Sequence, residues 1–337
     1  MRHKLILAVI LSGLLTGAPP AVADDEDDDD VLDSLWQQQL EHPSLSITTP
    51  DITGQPHTIG FAEIDGHAIT EGDIVIGTPT EASAGKVRMP GIFPETARLS
   101  VSPPAAPPGP APPERPACPG SSSGAATTQT GALWPDKKVP YVLSPTLTSA
   151  AREAVTQAIR AFHDGTCVRF VPRTGEAGYL NVISGHGCYS YVGRLGSQPQ
   201  DVSIGPGCER KGVAIHELLH AVGFYHEHSR SDRDNAVTVH LENVMKGYES
   251  QFQKLAPEQN RLFGTLDYGS VMLYGRNFFS ANGLDTLVPL MPAQIGQRDG
   301  FSQADLAAVR ALYGCPPVAA AAAGGSITSQ VTASTRP

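Results

Sequence analysis

The sequence predicts an α+β fold for residues 125–315, and three observations support this prediction. One stretch places apolar residues at helical spacing, with Ala151, Val155 and Phe162 on a single stripe. Five short β-prone runs surround that stretch, most of them separated by glycine-containing turns. A second stretch with clear helix boundaries closes the region. Short strands lying on amphipathic helices bury one face of each element, which is typical of a mixed sheet in an α+β domain.

Each element has its own sequence signal. The helical stripe is completed by Ala154, Ala158 and Ile159 at i, i+3, i+4 spacing. The terminal helix has Ser302 as its N-cap and ends at Gly314, with Asp305 in its first turn. The β-prone runs predict strands within the following ranges: 138–144, 167–172, 178–184, 189–194 and 201–205.

Residues 1–23 predict a secretory signal peptide. Arg2 and Lys4 precede a short apolar run, and small residues at Ala21 and Ala23 are typical of a cleavage site. The alternative is an uncleaved membrane anchor, but the apolar run is shorter than the roughly 20 residues that a span requires. We therefore expect a secreted protein with no stable membrane anchor after signal cleavage.

Residues 24–124 are interpreted as a prosegment that includes an acidic run and a Pro-rich linker. The acidic run at 24–30 is expected to be solvated, and the short β-prone runs at 60–77 to be locally ordered. The Pro/Gly/Ser-rich stretch at 89–124 is expected to be extended rather than packed. Residues 316–337 predict a disordered tail because they have neither an apolar core nor a period.

The net charge of −10 comes mainly from the acidic run. Between Ala125 and Cys315 the basic and acidic residues balance, at 17 each. Because the compact region has no basic field, we expect no nucleic-acid partner.

Five cysteines in an exported chain predict disulfides with one cysteine left over. Cys118 stands alone in the Pro-rich stretch. The other four allow three pairings, and they are Cys167, Cys188, Cys208 and Cys315.

The stretch HELLHAVGFYH contains a candidate zinc site. His216 and His220 are four residues apart and therefore share one face of a helix. Gly223 is placed to end that helix and turn the chain, which returns His226 to the same point. Glu217 can reach a metal-bound water without binding the metal.

Three imidazoles and an open position are typical of a catalytic zinc site, so we expect one Zn²⁺ per subunit. Zinc lowers the pKa of bound water to about 7 and polarises a carbonyl, and Glu217 would move the proton. Ordinary core or surface histidines are the alternative, but the extended spacing HExxHxxGxxH disfavours it.

The longer stretch HELLHAVGFYHEHSRSDRD resembles the astacin family of zinc metalloendopeptidases, which belongs to the metzincin clan. By this resemblance we expect the chain to be a bacterial-type secreted member of the family. The later stretch YGSVMLYGRNFFS resembles the family's Met-turn. The resemblance places Met272 under the metal site and makes Tyr274 a switchable zinc ligand that also stabilises an oxyanion.

The resemblance covers about 190 residues, from LWPDKKVPYVLS to LYGC. It implies a two-lobed domain with a mixed twisted sheet and long helices in the N-terminal lobe. The C-terminal lobe would be mostly irregular, with one terminal helix. The implied disulfides are Cys167–Cys315 and Cys188–Cys208.

Two positions depart from the family pattern. Leu273 stands where the Met-turn usually has His, and His228 stands where the family has Gln. His228 is interpreted as an exposed residue or one that supports the ligands, rather than as a ligand. Arg298 lies in a family-like segment, IGQRDGF, and is assigned no role.

The resemblance also concerns activation. It implies that Glu227 receives the mature N-terminus, and the family's spacing suggests cleavage after Gly124. In the family an aspartate in a Phe-x-Gly-Asp motif blocks zinc in the precursor. Asp73 is the candidate, with Thr70 in the Phe position, and the thiolate of Cys118 is the alternative.

These features predict a secreted zinc metalloendopeptidase, synthesised as a zymogen, that cleaves protein or peptide substrates and is inhibited by its own prosegment. Two alternatives remain. One is another metzincin subfamily with a cysteine-switch prosegment. The other is a non-catalytic zinc-binding module, which the presence of Glu217 disfavours.

Overall fold

The computed structural model of the protein describes residues 44–94 and 122–316. The predicted signal peptide, the acidic run, Cys118 and nearly all of the predicted tail lie outside these residues. Within the described ranges, no helix is both long and apolar enough to cross a membrane.

The described residues form four α-helices and fourteen strands. The helices are α1 (Pro79–Ser83), α2 (Ser149–Gly165), α3 (Lys211–Ala221) and α4 (Gln303–Leu312). The strands are β1 (Leu45–Pro50), β2 (Pro56–Ile64), β3 (His67–Thr70), β4 (Ile74–Gly77), β5 (Gly124–Thr127), β6 (Lys138–Leu143), β7 (Arg169–Pro172), β8 (Tyr179–Ile183), β9 (Cys188–Ser190), β10 (Pro199–Ile204), β11 (Phe224–Tyr225), β12 (Val237–Val239), β13 (Asn260–Phe263) and β14 (Leu287–Pro289).

A nine-stranded mixed sheet forms the N-terminal lobe. Its strand order is β1-β2-β3-β4-β9-β10-β8-β6-β7. Strands β7, β6, β8 and β10 run parallel to one another, whereas β9 pairs antiparallel with β10. All the strands predicted between 138 and 205 are therefore present in one sheet, and the α+β prediction is confirmed.

The helices α2 and α3 cover this sheet. All six apolar residues of the predicted stripe on α2 are buried, and Thr148 caps the helix by accepting a hydrogen bond from the amide of Ala151. The helix α3 is buried along nearly its whole length, which places its polar residues inside the protein rather than in solvent. Both helices share one apolar core with the strands beneath them.

The chain beyond α3 forms the C-terminal lobe, which consists mainly of 3-10 turns and short strands. Its own core is built around Phe252, Leu273 and Tyr274. The terminal helix α4 begins with the predicted cap, since Ser302 and Asp305 hydrogen-bond reciprocally to each other's backbone amides. Both implied disulfides, Cys167–Cys315 and Cys188–Cys208, are present.

The segment 44–94, called the N-terminal segment below, is more ordered than the sequence suggested. Its strands β1 to β4 extend the sheet, and β4 joins β9 through the pairing of Ile74 with Ser190. The expectation that the chain is extended rather than packed from residue 89 onward is wrong for its first residues, because Met89, Ile92 and Phe93 are buried. These apolar side chains belong to a core that the segment shares with Tyr225 and Leu255.

Candidate metal centre

The three histidines of the candidate zinc site converge on one point. His216 and His220 project from the same face of α3, and their Nε2 atoms lie 3.2 Å apart. The helix ends at Ala221, and Gly223 then adopts φ +110°, a conformation that glycine takes without steric cost. This turn returns His226, whose Nε2 lies 3.2 Å from that of His216.

The outer nitrogen of each imidazole is held by a hydrogen bond. The Nδ1 atoms of His216 and His220 donate to the carbonyls of Val271 and Phe224, both at 2.8 Å. A carbonyl cannot donate, so Nδ1 carries the proton and Nε2 is free to bind a metal. Such outer contacts fix the tautomer and orientation of metal-binding histidines. Val271 precedes Met272, whose side chain is buried.

Asp73 of the N-terminal segment completes the group. Its Oδ2 lies 3.0 Å from His216 Nε2, and its Oδ1 lies 3.1 Å from His226 Nε2 and 3.5 Å from His220 Nε2. The ligand atoms of all four residues lie within 4.8 Å of one another.

Three imidazole nitrogens and one carboxylate form a donor set that fits zinc. Asp73 Oδ1 is buried and makes no hydrogen bond within the described ranges, as expected of an oxygen aimed at a cation. Burial acts to raise the pKa of Asp73, but His226, His216 and His220 outweigh it and hold that pKa well below its ordinary value.

Glu217 lies beside the ligands and is 1% exposed. Its Oε2 has no hydrogen-bond partner among the residues that the structure describes. Burial, followed by the charge of Asp73, raises the pKa of this carboxyl well above its ordinary value. A raised pKa makes the ionised carboxylate a stronger base, which suits a group that accepts a proton.

Tyr274 lies next to the histidines, with its ring centroid 4.9 Å from that of His226. Its hydroxyl donates a 2.6 Å hydrogen bond to the carbonyl of Glu71 in the N-terminal segment. The ring is fully buried, and His228 lies against it with ring centroids 3.6 Å apart.

The idea that His228 is exposed is wrong, because the side chain is fully buried. Its position supports Tyr274, and its Nε2 donates to the carbonyl of Gln251 at 3.0 Å. The sequence after α3 gave no signal for this burial, because the 3-10 turn Glu227–Ser229 is contacted by residues outside that stretch, namely Glu71, Phe252 and Tyr274.

Glu71 is a site residue that the sequence did not reveal. It has φ +48°, and its carboxylate accepts hydrogen bonds from His226 Nδ1 at 2.9 Å and Ser229 Oγ at 2.8 Å. The third histidine therefore has its outer nitrogen held by the N-terminal segment. The only sequence signal was the position of Glu71 two residues before Asp73.

Arg298 is the second residue that was missed. Burial lowers the pKa of its guanidinium, whereas the nearby charges of Asp73 and Glu217 raise it. Its Nη1 donates to the Leu273 carbonyl at 3.0 Å, but its Nη2 is buried and has no hydrogen-bond partner in the described part of the chain. The site therefore contains a buried positive charge close to the metal ligands.

Glu227 lies beside Ser123, at the start of the described range 122–316. It is 1% exposed, and its Oε2 accepts a 3.1 Å hydrogen bond from Ser123 Oγ. Arg230 Nη1 lies 3.5 Å from the same oxygen. Burial raises the pKa of Glu227 to about 7, with Arg230 acting in the opposite direction. The suggested cleavage point after Gly124 is thus close to a buried carboxylate. The hydrogen bond from Arg230 to this carboxylate is long, at 3.5 Å.

Comparison with known proteins identifies similar chains. The family model described as Astacin, a peptidase family, matches residues 126–314. Zinc metalloproteinase nas-15 from Caenorhabditis elegans is 42% identical over 187 residues, which cover 55% of this chain and 33% of that protein. Human Tolloid-like protein 1 is 44% identical over 201 residues, covering 57% of this chain and 20% of that protein.

Among solved structures, High choriolytic enzyme 1, a hatching enzyme zinc-protease from Oryzias latipes, is 37% identical with a TM-score of 0.48. The match covers 57% of this chain and 94% of that one. The chain spans a third or less of the two curated relatives named here. Those relatives are animal proteins and do not support the expectation of a bacterial-type member.

Proposed function

The chain belongs to the astacin family of peptidases, and on that premise we propose that it is a secreted zinc metalloendopeptidase made as a latent precursor. Its substrates are proteins or peptides. The N-terminal segment is the folded part of a prosegment that inhibits the enzyme until it is removed.

One observation carries this proposal. The Nε2 atoms of His216, His220 and His226 converge, and the outer nitrogen of each ring is fixed by a hydrogen bond. A structural zinc site is usually closed by four protein ligands, whereas a catalytic site has three and an open position. Here the fourth donor, Asp73, comes from the N-terminal segment, so its departure would open a coordination position for catalysis.

Zinc bound by these histidines would supply a Lewis acid for the scissile carbonyl and lower the pKa of a water molecule. Glu217 takes the proton from the attacking water and delivers it to the leaving amine. The Tyr274 hydroxyl already donates to a peptide carbonyl, that of Glu71. In the active enzyme the same hydroxyl donates to the scissile carbonyl oxygen as negative charge develops there.

The precursor is kept silent by two carboxylates of the prosegment. Asp73 occupies the open side of the histidine group, and Glu71 holds the third histidine from the other side. Asp73 is favoured over Cys118 because its oxygens lie 3.0 to 3.5 Å from all three Nε2 atoms.

Cleavage after Gly124 would create an ammonium group near Glu227. A buried carboxylate gains from a cationic partner, since an unpaired buried charge is costly. The new N-terminus would replace the Ser123 hydroxyl as the partner of Glu227 Oε2 and stabilise the processed form.

Substitution of the proton-transfer residue tests the proposal. Activated Glu217→Ala should bind one zinc per chain and lose peptide cleavage by at least about 100-fold, the typical size of a general-base contribution. Glu258→Ala, at an exposed glutamate, is the matched control and should keep full activity. Zinc content is measured alongside cleavage of a peptide library. Retained cleavage in Glu217→Ala would refute the mechanism, and absence of cleavage by the wild type would favour a non-catalytic zinc module.

A further inference from the structure

We propose that Gln251 is a substrate-binding residue that recognises the main chain of the peptide on the C-terminal-lobe side of the active site. This inference rests on the proposed peptidase function and adds a binding contact to it. Gln251 lies in the 3-10 turn Glu249–Phe252 and is 3% exposed.

The side-chain amide of Gln251 binds peptide backbone in the uncleaved chain. Its Oε1 accepts a hydrogen bond from the backbone N–H of Glu71, and its Nε2 donates to the carbonyl of Gly60 at 3.1 Å. The hydroxyl of Thr70 approaches Oε1 at 3.4 Å. Glycine at position 60 leaves room for this approach, since a Cβ there would lie 3.1 Å from Nε2 and 2.4 Å from Ser250 Oγ.

Glu71 of the prosegment is held through both its backbone N–H and its backbone carbonyl. Gln251 binds the N–H of Glu71, and Tyr274 binds its carbonyl at 2.6 Å. Two residues later, the carbonyl of Asp73 accepts a hydrogen bond from the N–H of Ser190 in β9. Residues 71–73 therefore cross the site from the C-terminal lobe to the sheet, along the space that a substrate must enter to reach the histidines.

Removal of the prosegment leaves this amide without its present partners. Within the described residues, every hydrogen-bond partner of the Gln251 side chain belongs to the N-terminal segment. Because residues of the N-terminal segment cover this amide, their removal exposes it in the cleft, where a hydrogen bond to a substrate contributes about 0.5–1.5 kcal/mol net. Every peptide offers an N–H and a carbonyl at each residue, so a substrate main chain can replace these contacts whatever its side chains.

The backbone of Gln251 is held in place by the catalytic region itself. Its carbonyl accepts a hydrogen bond from His228 Nε2 at 3.0 Å, and the neighbouring Phe252 carbonyl accepts one from Arg233 Nη1 at 2.5 Å. His228 also lies against the ring of Tyr274. The amide and the tyrosine hydroxyl are therefore kept at a fixed separation by residues that remain after activation.

A backbone-modification cycle tests this assignment. Activated wild-type enzyme and Gln251→Ala are compared on one cleavable peptide and on versions that carry a single N-methyl group at successive backbone amides. If Gln251 accepts a hydrogen bond from one substrate N–H, methylation there should lower kcat/KM about 5- to 10-fold for the wild type. The same methylation should cost less than about twofold for Gln251→Ala, since the partner is already absent.

Gln200→Ala is the matched control. Gln200 is 2% exposed, and its amide bonds to Leu195 N–H at 2.9 Å and to the Gly193 carbonyl at 2.8 Å, within the catalytic region. This variant should lose stability but keep the wild-type response to every N-methyl group. If Gln251→Ala does not fold, Gln251→Met, which has similar length and no amide, takes its place.

The outcomes separate the two proposals. Equal N-methyl penalties in the wild type and the Gln251 variant at every position would overturn this inference, while chelator-sensitive cleavage by the wild type leaves the peptidase function standing. A wild type that cleaves no peptide would overturn both.

Discussion

Replacing Asp73 with asparagine should release part of the inhibition in the uncleaved precursor. The carboxylate of Asp73 is 2% exposed and lies 3.0, 3.1 and 3.5 Å from the three Nε2 atoms. A contact with a charged group contributes about 1.5–3 kcal/mol. Its loss should therefore raise the fraction of precursor with an open site, and hence basal activity, by about 10- to 150-fold.

Full activity is not expected from this variant. Glu71 keeps its contacts with His226, Ser229, Gln251 and Tyr274, so the prosegment still covers the site in most molecules. A fluorogenic peptide assay on the intact precursor measures the gain, with N-terminal sequencing to verify that the chain is uncleaved. Cys118→Ala is the matched variant and should remain silent. A silent Asp73→Asn precursor together with an active Cys118→Ala precursor would rule out the assignment of Asp73.

Three further perturbations test other parts of the structure. Cys315→Ser removes a crosslink with a sequence separation of 148, so it should lower the free energy of unfolding of the activated enzyme, measured in urea, by about 5 kcal/mol. Cys188→Ser removes a crosslink with a separation of 20 and should lower it by about 3 kcal/mol. Equal losses would contradict the loop-entropy argument. Asp65 of the prosegment pairs with His186 of the catalytic region. Burial acts to raise the pKa of Asp65, but hydrogen bonds from His186 outweigh it and lower that pKa below 3.8. In turn, Asp65 raises the pKa of His186 above 6.5. The pair therefore stabilises the docked prosegment fully between about pH 4 and 6.5, and this stabilisation is lost below the lowered pKa of Asp65 and above the raised pKa of His186. The urea midpoint of the precursor should depend on pH accordingly, and Asp65→Asn should remove this dependence. An unchanged pH profile in the variant would exclude this role. Because Arg298 Nη2 has no hydrogen-bond partner in the described part of the chain, the activated enzyme should favour peptides with a carboxylate near the scissile bond over neutral ones. Arg298→Met should reduce this ratio of kcat/KM values about tenfold, and an unchanged ratio would show that the guanidinium does not contact substrate.

Local signals in the sequence were sufficient for much of the catalytic region. The stripe on α2 was predictable because helical burial repeats at a fixed interval, and every residue of the stripe is buried. The cap formed by Ser302 and Asp305 likewise depends on residues three apart. The convergence of His216, His220 and His226 follows from helix geometry and a glycine turn, both encoded within eleven residues of sequence.

The remaining features depend on contacts between distant parts of the chain. Strand β1 and the first residues of β2 precede the β-prone runs at 60–77, and the two strands are stabilised by pairing with each other and by a shared core. His228 packs against Phe252 and Tyr274, which lie outside its own turn. The role of Glu71 arises where segments more than 150 residues apart meet. The residue pattern within one stretch carries no information about which distant segment will pack against it.

X-ray absorption at the zinc edge of the intact precursor would show directly which atoms close the metal site. We predict one zinc with three nitrogen neighbours at about 2.0–2.1 Å and one oxygen neighbour at about 2.0–2.2 Å, the distances typical of imidazole and carboxylate ligands. Asp73→Asn should alter the oxygen contribution and leave the three nitrogens in place. A sulfur neighbour at about 2.3 Å would instead assign the block to Cys118 and contradict the role of Asp73.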